Sequence, residues 1–240
     1  MKQQLISLAE SKALRGIAIL GIILHNYCHF LPAVQENEYT FEEKWPNMLL
    51  NSVITLGHNC VIDFLSFFGC YGVPVFLFVS GYGLVMKYEN DKAEKIRPLS
   101  FIGYHYLKLF RLMFLGYIAF VVVCFLHPNG YHGYSFGNIV AQMLMYINVL
   151  PSPDKIIKPG PYWFFGLMIQ LYIVYRLFLY RRHWAYTVCM VVFCWLIQEF
   201  CDPAGETINR IRYNFFGGML PFGAGILFAR YGKEMSRLTY

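Results

Sequence analysis

The chain has 240 residues, 57% of them hydrophobic and 14% charged, with a formal net charge of +6 and a mean hydropathy of +0.42. A soluble domain is roughly 45–50% apolar and about 25% charged, so a water-soluble globule is excluded and lipid is the expected solvent for most side chains. The basic residues cluster in short groups at the ends of apolar runs, as membrane topology requires, which argues against a nucleic-acid partner.

In chain order, the first apolar run is 13–32, which follows polar residues and lacks a small-residue cleavage pattern after it. It predicts a retained helix with a cytoplasmic N-terminus. Further runs at 67–87, 102–126, 161–180, 184–201 and 210–230 are each about 18–25 residues, able to cross roughly 30 Å of hydrocarbon. The fold class is all-α, a polytopic transmembrane helical bundle of about six to seven membrane helices in one domain, 1–240. Between the first two runs lies the acidic stretch QENEYTFEEKWPN, then LLNSVITLGHNCVIDFL at 49–65, apolar but interrupted by Gly57, His58, Asn59 and Asp63. That pattern predicts a helix at or under the membrane surface.

Residues 136–150 hold about 12–14 apolar positions, short for a span. Charge decides between crossing and re-entry. With 1–12 inside, the basic segment 87–98 falls inside after two crossings and 127–137 falls outside after three. Arg181 and Arg182 then lie inside only if 136–150 is re-entrant or interfacial, which is the expected reading. The seven cysteines include no CxxC pair and mostly sit within apolar runs, so buried packing thiols are expected.

The stretch SKALRGIAILGIILHNYCHF at 11–30 carries the first chemistry. A helix rises 1.5 Å per residue, which places His25 about 15 Å deeper than Arg15. An intramembrane imidazole faces a bundle interior or a wet cavity and suits proton transfer near neutrality. The bland alternative is a neutral histidine hydrogen-bonded to a neighbouring helix, with Asn26 serving the same packing. His29 is one turn on; the pair has metal-ligand spacing, but no HExxH glutamate or third ligand accompanies it, and no metal is expected. Lys108 and Arg111, three apart near the start of the 102–126 run, either bind phosphates or snorkel to anionic headgroups. In GVPVFLFVSGYGL, residues 72–84, Gly72, Ser80, Gly81 and Gly83 allow close helix approach, with substrate contact as a second role.

Taken in order, these segments resemble the acyltransferase family 3 membrane proteins. LRGIAILGIILHNY resembles that family's first helix with its Arg and His, GVPVFLFVSGYGL its Gly-Val…Phe…Ser-Gly segment, and KLFR its RxxR pair. YWFFGLMIQLYIVY resembles its Trp-initiated helix and NFFGGMLPFGAGILFARY the glycine-rich helix after it. The resemblance spans nearly the whole chain. It implies an integral membrane enzyme of the bacterial inner membrane, multi-pass, that moves an acyl group, typically acetyl, from acyl-CoA to a hydroxyl of a glycan, glycolipid or similar acceptor. Polysaccharide O-acetylation is the typical outcome. The alternative is a non-enzymatic transporter or degenerate scaffold of the same fold.

Carried onto this sequence, the resemblance implies His25 and His29 as catalytic residues and Arg15, Lys108 and Arg111 as the holders of the coenzyme phosphates. Asn26, Ser80, Trp163, Gln170 and Tyr172 would contact substrate, with acyl-CoA as donor substrate and no permanently bound cofactor. Three positions depart from the family pattern. Nine residues rather than ten separate Arg15 from His25, which rotates His25 about 80° off the Arg15 direction; either a helix irregularity restores it or His29 shares its task. Lys108 replaces an Arg, losing a forked donor, and Met168 stands where many members have a Glu. Members commonly continue through about ten membrane helices, so the domain is expected to be short at its C-terminal end.

Overall fold

The structure is a computed structural model that describes residues 5–31, 34, 43–89, 96–127, 133–202 and 205–238. Among these residues every regular element is a helix: α1 (Leu8–Cys28), α2 (Lys44–Ile54), α3 (Cys60–Phe68), α4 (Gly72–Tyr88), α5 (Pro98–Leu126), α6 (Phe136–Met143), α7 (Trp163–Val174), α8 (Trp184–Glu199), α9 (Glu206–Arg212) and α10 (Phe215–Leu238). This is the helical membrane bundle that the composition predicts.

Among the described residues, three stretches are both long and apolar enough to cross a membrane: Cys60–Tyr88, Pro98–Leu126 and Gly160–Leu179. The α1 and α10 helices have 21 and 24 residues, about 31 and 36 Å at 1.5 Å per residue, and carry more polar groups. The apolar α8 helix is shorter, at 16 residues. Each of the six expected runs therefore coincides with a helix, and the differences are at the ends. The surface helix expected over 49–65 is divided: α2 stops at Ile54, and from Cys60 onward the chain already belongs to the long span. The run expected at 210–230 is interrupted at Tyr213 and Asn214, between α9 and α10. Within 136–150, α6 has only eight residues, about 12 Å, so it does not cross as a helix. Residue 32 and the acidic residues 35–42 lie outside the described residues, as do parts of the charged segments at 87–98, 127–137 and 201–209.

The chain forms two compact units, one from the described residues of Met1–Asn90 and Pro221–Tyr240, the other from those of Asp91–Leu220. In the first, α1 opens on a capping box: Ser7 Oγ accepts from Glu10 N–H at 3.2 Å and Glu10 Oε2 accepts from Ser7 N–H at 2.7 Å. That backbone donor, and then the Ser7 hydroxyl, hold the Glu10 carboxyl below its usual range. Tyr82 of α4 pins the entry to α1 by accepting from Ile6 N–H at 2.9 Å and donating to Ile6 O at 3.1 Å. α1 runs antiparallel to the continuous helical stretch of α3, a 3-10 turn at Gly69–Tyr71, and α4. α4 and α10 approach backbone to backbone, since a Cβ on Gly81 would strike Phe222 O and one on Gly225 would strike Phe78 O. Glu89 and Arg230 close this contact with a two-pronged ion pair, Nε to Oε2 at 2.9 Å and Nη2 to Oε1 at 2.6 Å.

In the second unit, α5 packs on α7 through Met113 and Ile169, with Met145 in the same cluster. The opposite face of α5 presents Leu112, Leu115 and Val123, all exposed. Apolar side chains left out of the protein interior over this length are what lipid requires. At its end α7 widens into one π turn, Tyr175–Leu179.

Candidate functional site

Ser11, Ala18 and His25, seven residues apart, are buried on one stripe of α1 with Cys28. A seven-residue step turns the helix by only about 20° from two full turns, so this stripe faces one neighbour along its whole length. That neighbour is the α3–α4 stretch. Gly69 makes the approach possible: a Cβ on it would lie 2.5 Å from His25 Cβ and 2.6 Å from Gly21 O. One turn further, Gly72 stands against the Ala18 carbonyl.

His25 is 5% exposed, and its Nδ1 lies 2.6 Å from the Ser66 carbonyl oxygen. A carbonyl only accepts, so Nδ1 carries the proton and the lone pair of the neutral ring is on Nε2. The Ser66 carbonyl is open to this bond for a local reason. The last i to i−4 bond of α3 runs from Gly69 N–H to Leu65 O, and the 3-10 turn that follows uses a different spacing. The helix thus switches its hydrogen-bond pattern where it meets the imidazole. His29 is exposed; its Nδ1 donates to the His25 carbonyl at 2.9 Å, and the two rings lie 4.3 Å apart.

Arg15 is on the edge of the same stripe, about 60° round from Ala18, and its long side chain reaches across to α4. Nη2 donates to Val79 O at 3.3 Å, and the guanidinium lies 5.9 Å from the centre of the Phe76 ring. Its Nε is buried with no hydrogen-bond partner among the described residues. The α1 helix is regular between Arg15 and His25, without a bulge. The 80° offset is absorbed instead by side-chain length and by the width of the contact stripe, so both residues address one partner helix.

The remaining expected residues divide by unit. Asn26 donates from Nδ2 to Ile22 O at 2.7 Å, a bond within its own helix. Ser80 is buried in α4 beside Gly81. Lys108 and Arg111 are exposed on α5, in the second unit. Also there, the Trp163 ring lies tilted against Tyr213, 4.8 Å between centroids, and Tyr172 lies 4.4 Å from the His105 ring. Gln170 spans the break before α10: its Nε2 donates to Asn214 Oδ1 at 2.8 Å and its Oε1 accepts from Phe215 N–H at 2.9 Å. Asn148, fully buried, donates to the Tyr213 carbonyl at 3.1 Å and to Asn214 Oδ1 at 3.1 Å. Gln170 is therefore fastened to the chain's own backbone at a helix start. Met168, where the resemblance would place a Glu, is buried.

Sequence reasoning missed Ser66, Gly69 and the Glu89–Arg230 pair. A glycine directly before the Gly72 segment was the available sign for the first two. The ion pair joins residues 141 apart, with no local pattern to betray it. Among the described residues, no group of three or more His, Cys, Asp or Glu could hold a metal ion.

The acyltransferase domain model of acyltransferase family 3 matches residues 8–238, from the first residue of α1 to the last of α10. Curated proteins and solved structures give no match. A match that covers the whole helical body, on a chain whose long helices present apolar side chains outward, means that this protein belongs to acyltransferase family 3, the membrane acyltransferases.

Proposed function

We propose that the protein transfers an acetyl group from acetyl-CoA to a hydroxyl of a glycan or glycolipid in the cell membrane, with its N-terminus on the cytoplasmic side. The observation that carries this reading is the Nδ1 to Ser66 carbonyl bond, which leaves the His25 lone pair on Nε2, where a general base needs it. Nε2 takes the proton of the acceptor hydroxyl as its oxygen bonds to the thioester carbonyl carbon. The C–S bond then breaks, and the imidazolium returns the proton to the coenzyme thiolate. The products are an ester and free coenzyme thiol, so atoms and charge balance.

Arg15 supports a donor with phosphates. Its guanidinium uses Nη2 on Val79 O, while Nε keeps an unused N–H for an anionic oxygen. The roughly 15 Å rise between Arg15 and His25 suits an extended donor arm between a phosphate end and a reacting end.

The test supplies membranes containing the chain with acetyl-labelled acetyl-CoA and isolated cell-surface glycan. Label should move to the glycan in a base-labile ester bond, with one free thiol released per label transferred. Membranes that transfer no more label than those lacking the chain would favour the scaffold alternative.

A further inference from the structure

The α3 helix carries two polar groups that an apolar span does not need: Asp63, 9% exposed, and Ser66, 1% exposed. A buried carboxyl is costly unless it is held by hydrogen bonds. Here it is held. Ser52 of α2 donates its hydroxyl to Asp63 Oδ2 at 2.6 Å. One turn further along α3, Ser66 donates its hydroxyl to the Asp63 main-chain carbonyl at 3.1 Å. The Ser66 carbonyl then accepts the His25 Nδ1 proton at 2.6 Å.

Three hydrogen bonds thus run in series from α2, through one turn of α3, into the imidazole of α1. α2 itself has no buried residue, so apolar packing alone holds it weakly. Its bond to a buried carboxylate gives it a fixed register on α3.

We infer that Asp63 is a positioning residue for His25: anchored by Ser52, it fixes the 63–66 turn so that the Ser66 carbonyl meets Nδ1 and Nε2 points to the reacting hydroxyl. This inference rests on the proposed role of His25 as base. Asp63 does not touch substrate; it acts through the backbone of Ser66. The oxygen that Ser52 binds, rather than charge, is what matters.

The experiment uses the full chain in membranes, with thiol release from acetyl-CoA in the presence of the glycan fraction as the kinetic readout. Asp63→Ala should lower kcat about tenfold, a fraction of the roughly hundredfold that a 1 Å misplacement costs, while KM for acetyl-CoA stays unchanged. Asp63→Asn keeps an acceptor oxygen for Ser52 and should restore most of the rate. Ser52→Ala should act in the same direction, and the double variant should be no worse than Asp63→Ala, because the bond can be lost only once. Nitrogen-15 NMR of histidine-labelled protein supplies a readout that needs no turnover: His25 should be protonated at Nδ1 in the native chain and a mixture of tautomers in both single variants.

Native kcat in Asp63→Ala, or Asp63→Asn as damaged as Asp63→Ala, would overturn the inference. So would an unchanged single His25 tautomer in the variants. Should Asp63→Ala not accumulate, Ser52→Ala and its spectrum decide alone. A His25→Ala chain that transfers acetyl at the native rate would instead remove the catalytic reading, and the tautomer measurement would still judge the positioning role.

Discussion

Gly69→Ala is the sharpest perturbation the helix pair offers. The added Cβ would stand 2.5 Å from His25 Cβ and 2.6 Å from Gly21 O, against the 3.4–4 Å of ordinary contact. Neither neighbour is the tip of a flexible side chain, so α1 must move off α3 by about 1 Å. Overpacking of this kind costs about 1–3 kcal/mol, which leaves most of the protein folded. The functional cost is larger, because about 1 Å of misplacement at a reacting group is worth roughly a hundredfold in rate. Two glycines of α1 are the controls. A Cβ on Gly21 meets its nearest atom, Gly69 O, at 3.6 Å, and one on Gly16 meets nothing within 4 Å. Thiol release from acetyl-CoA by membranes, normalised to folded protein, should fall about a hundredfold in Gly69→Ala, little in Gly21→Ala and not at all in Gly16→Ala. A Gly69→Ala chain as active as the native one would refute the close approach as the device that sets His25.

Breaking the Glu89–Arg230 pair should be the most damaging change to stability outside the site. The two side chains are 3% and 4% exposed, and removing one partner of a buried pair costs about 3–5 kcal/mol, so Arg230→Ala should lower the melting temperature in detergent far more than Arg210→Ala, whose i, i+4 pair with Glu206 is exposed. Ser7→Ala removes the cap of α1 and should cost about 1 kcal/mol, read as faster amide exchange in its first turn. Glu10 gives that turn a pH dependence. Its folded carboxyl titrates below the ordinary range for a glutamate, so its stabilisation is full above the unfolded value and is lost as pH falls through the folded one. Amide exchange in the first turn should accelerate there in the native chain and not in Glu10→Gln.

Much of the fold was legible because lipid imposes a simple rule, an apolar run of helical length. All six runs became helices, and within 136–150, where apolar positions are few, α6 has only eight residues. The ends were less legible. Gly57, His58 and Asn59 marked a break after α2, but nothing local showed that Asp63 belongs to the long span, since a buried aspartate depends on Ser52 eleven residues away. The break before α10 depends likewise on Gln170 and Asn148, distant in sequence. In the site, His25 and Arg15 stood out as polar groups at depth. Their angular offset was misleading because ideal helical angles ignore the reach of an arginine. Ser66 meets the imidazole through its backbone carbonyl, which any residue type could supply, so the only local sign was the nearby Gly69.

The most direct measurement compares His25→Ala with His29→Ala in a single turnover of acetyl-CoA by protein reconstituted in lipid vesicles, scored as thiol released per folded chain. General-base help is worth about 10²–10⁴ in rate, so His25→Ala should fall at least a hundredfold. His29→Ala should keep most of its rate, because the His29 Nδ1 is engaged by the His25 carbonyl one turn back. A native rate in His25→Ala, or a greater loss in His29→Ala, would contradict the account.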